Sequence, residues 1–464
     1  MKTALDYFKE ILAVPRPSGH EEKIADYLCE YAKEHGFEHF RDETHNVIIK
    51  KDNGSKNTII LQGHTDMVCV ADKGVIKNFF EEGIDWFEDG DYIKSKGTTL
   101  GADNGIGVAI ILKILEESGE GYPNIEAVFT VQEETTMAGA RALDYSKLSG
   151  KYLLSLDGDK EGVLEVSSAG ISDIELTKKL KQMKQKDGTG VYVVEISNLI
   201  GGHSGDDINK NRFNAIEILG KILKEINPVG IVSIYGGEKS NVIPSYAIAE
   251  FVSEKSHAEI NYICSKYRDL AEENDNHPIV FSSKLEDRDW VIYDEDELID
   301  FVVNFKHGVL KSNDAGFTIT SENLGAIRLS NGEIKIKLSV RSSVKNEESE
   351  QVEEIKNLAK KYRLAFELKC KNPFFSYKEN SKLRDSLKYS YNKLYGKDAI
   401  ERHIHAGLEG GVFAENIEDI DVCVTAVDIF DLHSIKERVS ISSVQRVYEW
   451  VKETLQDFER KLKF

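Results

Sequence analysis

The sequence predicts an α/β protein in which one domain is inserted into another. At 464 residues the chain exceeds one ordinary core, and its length suggests about two to three domains. Short, β-branched apolar runs alternate with helical periodicity up to residue 170 and again after residue 377. Between them the character changes to repeated strand and helix units. The expected organisation is therefore a mixed-sheet domain of residues 1–170 and 377–464, interrupted by an α+β domain of residues 171–376.

Composition excludes several classes of function. A formal charge of −20, without clustered Lys or Arg, argues against binding nucleic acid or an anionic membrane. No apolar run approaches the ~18 residues of a membrane span. Residues 1–11 mix charged with apolar groups, predicting an amphipathic helix and no secretory signal. Cys29, Cys69, Cys264, Cys370 and Cys423 are scattered, odd in number and never in a Cys-x-x-Cys pair, which predicts reduced thiols, a cytoplasmic setting and no thiolate zinc site.

Leu5, Phe8, Ile11 and Leu12, then Ile24, Tyr27, Leu28 and Tyr31, recur at helical steps on either side of the breaker Pro15-Arg16-Pro17-Ser18-Gly19. Residues 46–50 and 58–61 read as strands joined through the turn Asp52-Asn53-Gly54. The second runs into Gly63-His64-Thr65-Asp66, bringing His64 and Asp66 to the carboxyl end of a buried strand, where open α/β sheets carry their sites. Taken alone, a histidine at a strand end is more often a hydrogen-bonded core or surface residue than a metal ligand. Residues 79–92 read as an acidic, aromatic connection.

Gly97-Thr98-Thr99-Leu100-Gly101-Ala102-Asp103-Asn104-Gly105-Ile106-Gly107 then feeds an apolar helix over 108–115. It lacks both the dinucleotide glycine spacing and the Lys-Ser/Thr of a phosphate loop. An aspartate held by backbone amides in such a loop can point its carboxylate at a metal. Residues 125–132 form a strand ending on Glu133-Glu134, two carboxylates able to divide cation binding from proton transfer. Residues 151–156 form another, ending on Asp157-Gly158-Asp159, where a plain Asp-Gly turn is the simpler reading.

Three apolar strands thus end on His, Glu or Asp, and a glycine turn adds another Asp. Oxygen and imidazole donors without thiolates suit zinc, manganese or cobalt in an open catalytic site. Further on, a lysine-rich connection (178–186) precedes a strand (191–196), the loop Gly201-Gly202-His203-Ser204-Gly205, a helix bearing Phe213, Ile216, Leu219 and Ile222, a strand (246–252), a helix (258–270) and an alternating strand (333–341). A helix (381–394), a strand (400–404), the loop His405-Ala406-Gly407-Leu408-Glu409-Gly410-Gly411, a strand (422–425) and a last helix (444–462) complete the chain, with His433 in a loop.

As a set, Gly-His-Thr-Asp-Met-Val at 63–68, Thr-Thr-Leu-Gly-Ala-Asp-Asn-Gly-Ile-Gly at 98–107, Glu-Glu at 133–134, Gly-Gly-His-Ser-Gly at 201–205 and His-Ala-Gly-Leu-Glu-Gly-Gly at 405–411 resemble the two-zinc aminoacylase, carboxypeptidase and dipeptidase clan of metallopeptidases. The resemblance is strongest to its bacterial aminoacyl-histidine dipeptidases, and it extends over nearly the whole chain.

The resemblance implies a zinc-peptidase catalytic domain with an inserted lid. It implies that His64, Asp103 and Asp157 hold one ion and that Asp103, Glu134 and His433 hold a second, about 3.5–4 Å away. The ions would be zinc, or else manganese or cobalt. Glu133 would be the general base, Asp66 an orienting carboxylate, and the Asp103-Asn104 bond cis. On the lid, His203 would serve the oxyanion, and Asn241 and Arg341 the terminal carboxylate of a small peptide. The alternative on the same scaffold is an N-acyl amino acid deacylase or a tripeptidase, and a homodimer is left open. A binding protein without turnover would have lost Glu133 or a ligand, and none is lost.

Overall fold

The computed structural model describes all residues except 1, 273–277, 287–288, 295, 315 and 463–464. Contacts divide the chain into two units: Met1–Ser168 with Phe374–His403 and Leu408–Phe464, and Ala169–Pro373 with Ile404–Gly407. Among the described residues no helix is long and apolar enough to cross a membrane.

The first unit is built on an eight-stranded mixed sheet. Its order is Glu38–Arg41, Val47–Lys51, Asn124–Thr130, Thr58–His64, Tyr152–Ser155, Asp421–Val424, Val163–Ser167 and Ile400–His403. The central strands are parallel, and both faces are covered, which is why they read as continuous apolar runs. Ile59 and Leu61 point into a core with helices Ala4–Leu12, Ala102–Glu117 and Ile441–Leu462, while Ile60 points the other way against Val412 and Phe413. Each fully buried side chain of this size contributes about 1.5–3 kcal/mol. Helix Ala102–Glu117 is buried on almost every side, so its sequence is apolar all round.

Three expectations for this unit are corrected. Val47–Lys51 and Thr58–His64 are not neighbours, because Asn124–Thr130 lies between them, antiparallel to the first and parallel to the second. A strand as buried as Thr58–His64 takes a partner on each side, and the loop after Lys51 is too long for a two-residue hairpin turn. The connection at 79–92 contains strand Trp86–Asp89 and leads into Tyr92–Ser95, which pairs with Arg438–Ser440, itself paired with Ile429–Phe430. That small sheet fixes the hairpin loop carrying His433. Strand Asn124–Thr130 stops short of the glutamates: Gln132 takes a left-handed conformation (φ 55°), and Glu133–Thr136 forms one helical turn.

The second unit carries an antiparallel sheet whose main path runs Ile279–Lys284, Gly190–Ser197, Ala247–Ser253, Gly230–Gly237, Thr318–Ser330, Glu333–Ser342, Gly170–Lys179 and Ala365–Asn372. Helices Ala215–Ile226, His257–Glu272, Asp296–Asn304 and Lys345–Lys361 contribute Leu219, Ile260, Phe301 and Ile355 to its core. Gly170–Lys179 enters the stretch read as a lysine-rich connection. Ile174 and Leu176 face inward, and the charged outward positions dilute the apolar signal.

Candidate metal and catalytic site

The site is assembled where the parallel strands of the first unit end. His64 closes strand Thr58–His64, and its Nδ1 lies 3.2 Å from the Asp66 carbonyl and 3.4 Å from Asp66 Oδ1. With Nδ1–H engaged there, Nε2 presents a lone pair towards Asp103 Oδ1 at 3.1 Å and Asp157 Oδ1 at 3.3 Å. The other oxygen of Asp103 lies 3.2 Å from His433 Nε2. Asp103 therefore stands between two imidazoles, one carboxylate oxygen to each.

Ligand atoms of His64, Asp103 and Asp157 converge within 4.8 Å of one another, and so do those of Asp103, Glu134 and His433. Glu134 Oε1 is buried and 3.0 Å from His433 Nε2, yet it accepts no hydrogen bond. Two acceptors this close and not aligned with each other fit a shared cation. A third convergence, of His64, Glu133 and Glu134, completes a donor set of imidazoles and carboxylates that suits a pair of divalent ions.

Electrostatics point the same way. Burial and the Asp157 carboxylate push Glu133 well above the usual carboxylate range. Burial would raise Asp103 too, but the His433 and His64 rings hold it below its ordinary value. The Asp103 and Glu134 carboxylates beside its ring raise His433 to about 10. Divalent cations would relieve the mutual repulsion of these carboxylates.

The surrounding residues explain the local sequence. Asp66 accepts the Glu133 amide at 3.0 Å and the Glu134 amide at 3.3 Å on its two oxygens, and the Ser18 hydroxyl at 2.7 Å. The Asp103-Asn104 peptide is cis, as expected. Gly101 has φ 75°, and a Cβ there would lie 2.5 Å from Arg16 Nη2, so the position excludes a side chain on two grounds.

Three residues of this region escaped the sequence reading. Arg16, buried at 1% exposure, donates to the Thr65, Asp66 and Gly101 carbonyls. Glu437 accepts from the backbone amides of four consecutive residues, Leu100 to Asp103. Glu409, pushed up to about 8 chiefly by burial, accepts from Gln62 and Thr130. It opens helix Glu409–Asn416, so the loop expected over 405–411 ends there. Glu409 stood inside a motif already noted, and Arg16 inside a helix break. Nothing local marked Glu437.

The matching family model, peptidase family M20/M25/M40, spans residues 60–457. The chain belongs to that family. Among M20/M25/M40 relatives, the cytosol non-specific dipeptidase of Escherichia coli (strain K12) is 29% identical over 472 residues, spanning 98% of this chain and 97% of that protein. The crystal structure of aminoacylhistidine dipeptidase from Vibrio alginolyticus matches with a TM-score of 0.89 at 29% identity, covering 98% of this chain and 96% of that one. Aminopeptidase PepT from Bacillus cereus ATCC 10987 shares the fold, with a TM-score of 0.57 at 18% identity over 98% of each chain.

The expected residues of the M20/M25/M40 insertion lie together within the second unit. His203 pairs with Val242 in a short two-stranded ladder, and the Ser204 amide donates to the Asn241 carbonyl at 2.9 Å. Arg341, buried at 2% exposure, donates to Ser204 Oγ and to the His405 carbonyl, both at 3.2 Å. The His405 ring bonds Ser321 Oγ at 2.8 Å, and Ser321 stands opposite Arg341 across the ladder. His203 Nδ1 lies 3.3 Å from the Gly205 amide and 3.3 Å from Asp206 Oδ2.

Proposed function

We propose that this chain is a two-metal dipeptidase, with zinc as the natural pair and dipeptides ending in histidine among its substrates. The observation carrying this reading is Asp103, with one oxygen 3.1 Å from His64 Nε2 and the other 3.2 Å from His433 Nε2. Dipeptidase relatives matching over nearly the full length support the substrate class.

His64, Asp103 and Asp157 would hold one ion, and Asp103, Glu134 and His433 the other. When bound, the ions lower the pKa of water towards about 7 and polarise the scissile carbonyl. Glu133 takes the proton of the attacking water and delivers it to the leaving amine, a task suited to a carboxyl whose pKa is raised. Asp66 orients Glu133 and Glu134 through their amides. In the second unit, His203 offers an imidazole suited to stabilising an oxyanion, and Arg341 and Asn241 offer donors suited to a terminal carboxylate.

The test is hydrolysis of dipeptides, tripeptides and N-acetyl amino acids by metal-reconstituted protein, alongside Glu133→Ala. Dipeptide cleavage abolished in the variant is the expected result. Turnover of N-acetyl substrates alone would move the reading to a deacylase, and turnover of tripeptides alone to a tripeptidase.

A further inference from the structure

We infer that Glu437 is a positioning residue that holds the bridging Asp103 in register with His433 before any ion arrives. The inference rests on the proposed ligand set. Glu437 is buried at 3% exposure, and its two oxygens share four successive donors: Oε2 takes the Leu100 and Gly101 amides at 2.7 and 2.9 Å, and Oε1 those of Ala102 and Asp103 at 2.8 and 3.3 Å. An ordinary helix cap satisfies one or two amides. Here one carboxylate fixes the whole turn that delivers Asp103.

Glu437 also stands four residues after His433, immediately before the strand Arg438–Ser440 that anchors this loop to Tyr92–Ser95. The same side chain thus ties the turn carrying Asp103 to the loop carrying His433. Arg16 completes the arrangement from the other side, bonding the Thr65 and Asp66 carbonyls and the Gly101 carbonyl. The backbone segments bearing His64, Asp103 and His433 are therefore joined by two buried, oppositely charged side chains that touch no ligand atom. Their charges also attract each other.

A carboxylate is required because every partner is a donor. Glutamine keeps the size of Glu437 but turns an NH₂ towards backbone N–H groups, so Glu437→Gln isolates that requirement. The experiment measures zinc per chain after desalting, and zinc affinity by chelator competition, in the parent and in Glu437→Gln, with thermal melts of both metal-free proteins. The expected result is two ions per chain in the parent. The variant should bind its weaker ion at least tenfold less tightly, with a metal-free melting temperature within a few degrees of the parent's.

Unchanged affinity for both ions would overturn the inference, as would an affinity loss fully accounted for by a smaller folded fraction. A parent that binds no zinc would instead overturn the ligand set itself. Hydrogen exchange on the metal-free parent supplies a second readout that needs no variant. The amides of residues 100–103 should be protected without metal, and free exchange there would refute preorganisation by Glu437.

Discussion

The Asn104 side-chain amide donates to the Leu156 carbonyl at 2.6 Å, pinning the residue after Asp103 to the residue before Asp157. This contact needs room. A Cβ at Gly107 would lie 2.3 Å from Asn104 Oδ1 and 2.8 Å from the Leu156 carbonyl oxygen. Gly107→Ala should therefore cost about 1–3 kcal/mol of stability and lower the number of bound ions per chain. Urea unfolding and metal analysis check both effects, and a variant with parental stability and metal content would sink the argument.

Asp66 is the next test. Its oxygens receive the amides of Glu133 and Glu134, and burial is more than offset by the His64 ring and the Ser18 hydroxyl, which keep its pKa low. Asp66→Asn turns one donor against another, so kcat should fall about 10- to 100-fold with little change in KM. A steady-state comparison at saturating metal decides it. A change confined to KM would mean that Asp66 acts on substrate binding instead.

Arg341 is held by Ser204 Oγ and by the His405 carbonyl, and the His405 ring is fixed by Ser321. Lysine cannot reproduce a planar fork with two fixed donors. Arg341→Lys is expected to raise KM for dipeptides about tenfold or more and to spare the already weak binding of dipeptide amides, which lack the terminal carboxylate. Equal losses for both substrate types would assign Arg341 a purely structural part.

Glu322 predicts a pH effect on stability. It is buried at 3% exposure, and burial, partly offset by Lys306, pushes its pKa up from 4.5 to about 8. As pH rises past 4.5, the unfolded chain loses this proton while the folded chain keeps it until about 8, so the folded state is progressively disfavoured across that window. The slope from one such group reaches at most ~1.4 kcal/mol per pH unit. Glu322→Gln should be more stable than the parent at pH 8 and nearly equal to it at pH 4.5. Urea midpoints with the same difference at both pH values would contradict this.

Local sequence was enough to place the buried strands and to show which polar residues follow them. Apolar runs such as Ile59-Ile60-Leu61 are legible because both faces of the sheet are covered, and the polar residues that interrupt them stand out. Patterning singled out His64, Asp103, Glu133, Glu134 and Asp157, and only the family resemblance of the motifs added His433 to them, although nothing local says that they meet. Tertiary structure alone decided that Asn124–Thr130 separates two strands adjacent in sequence, and that Trp86–Asp89 and Tyr92–Ser95 join the sheet anchoring the His433 loop. It alone revealed Glu437, which binds backbone amides more than 330 residues away. The physical reason is that a carboxylate accepting main-chain N–H groups leaves no side-chain pattern at its partners. Its role appears only when packing brings the two segments together.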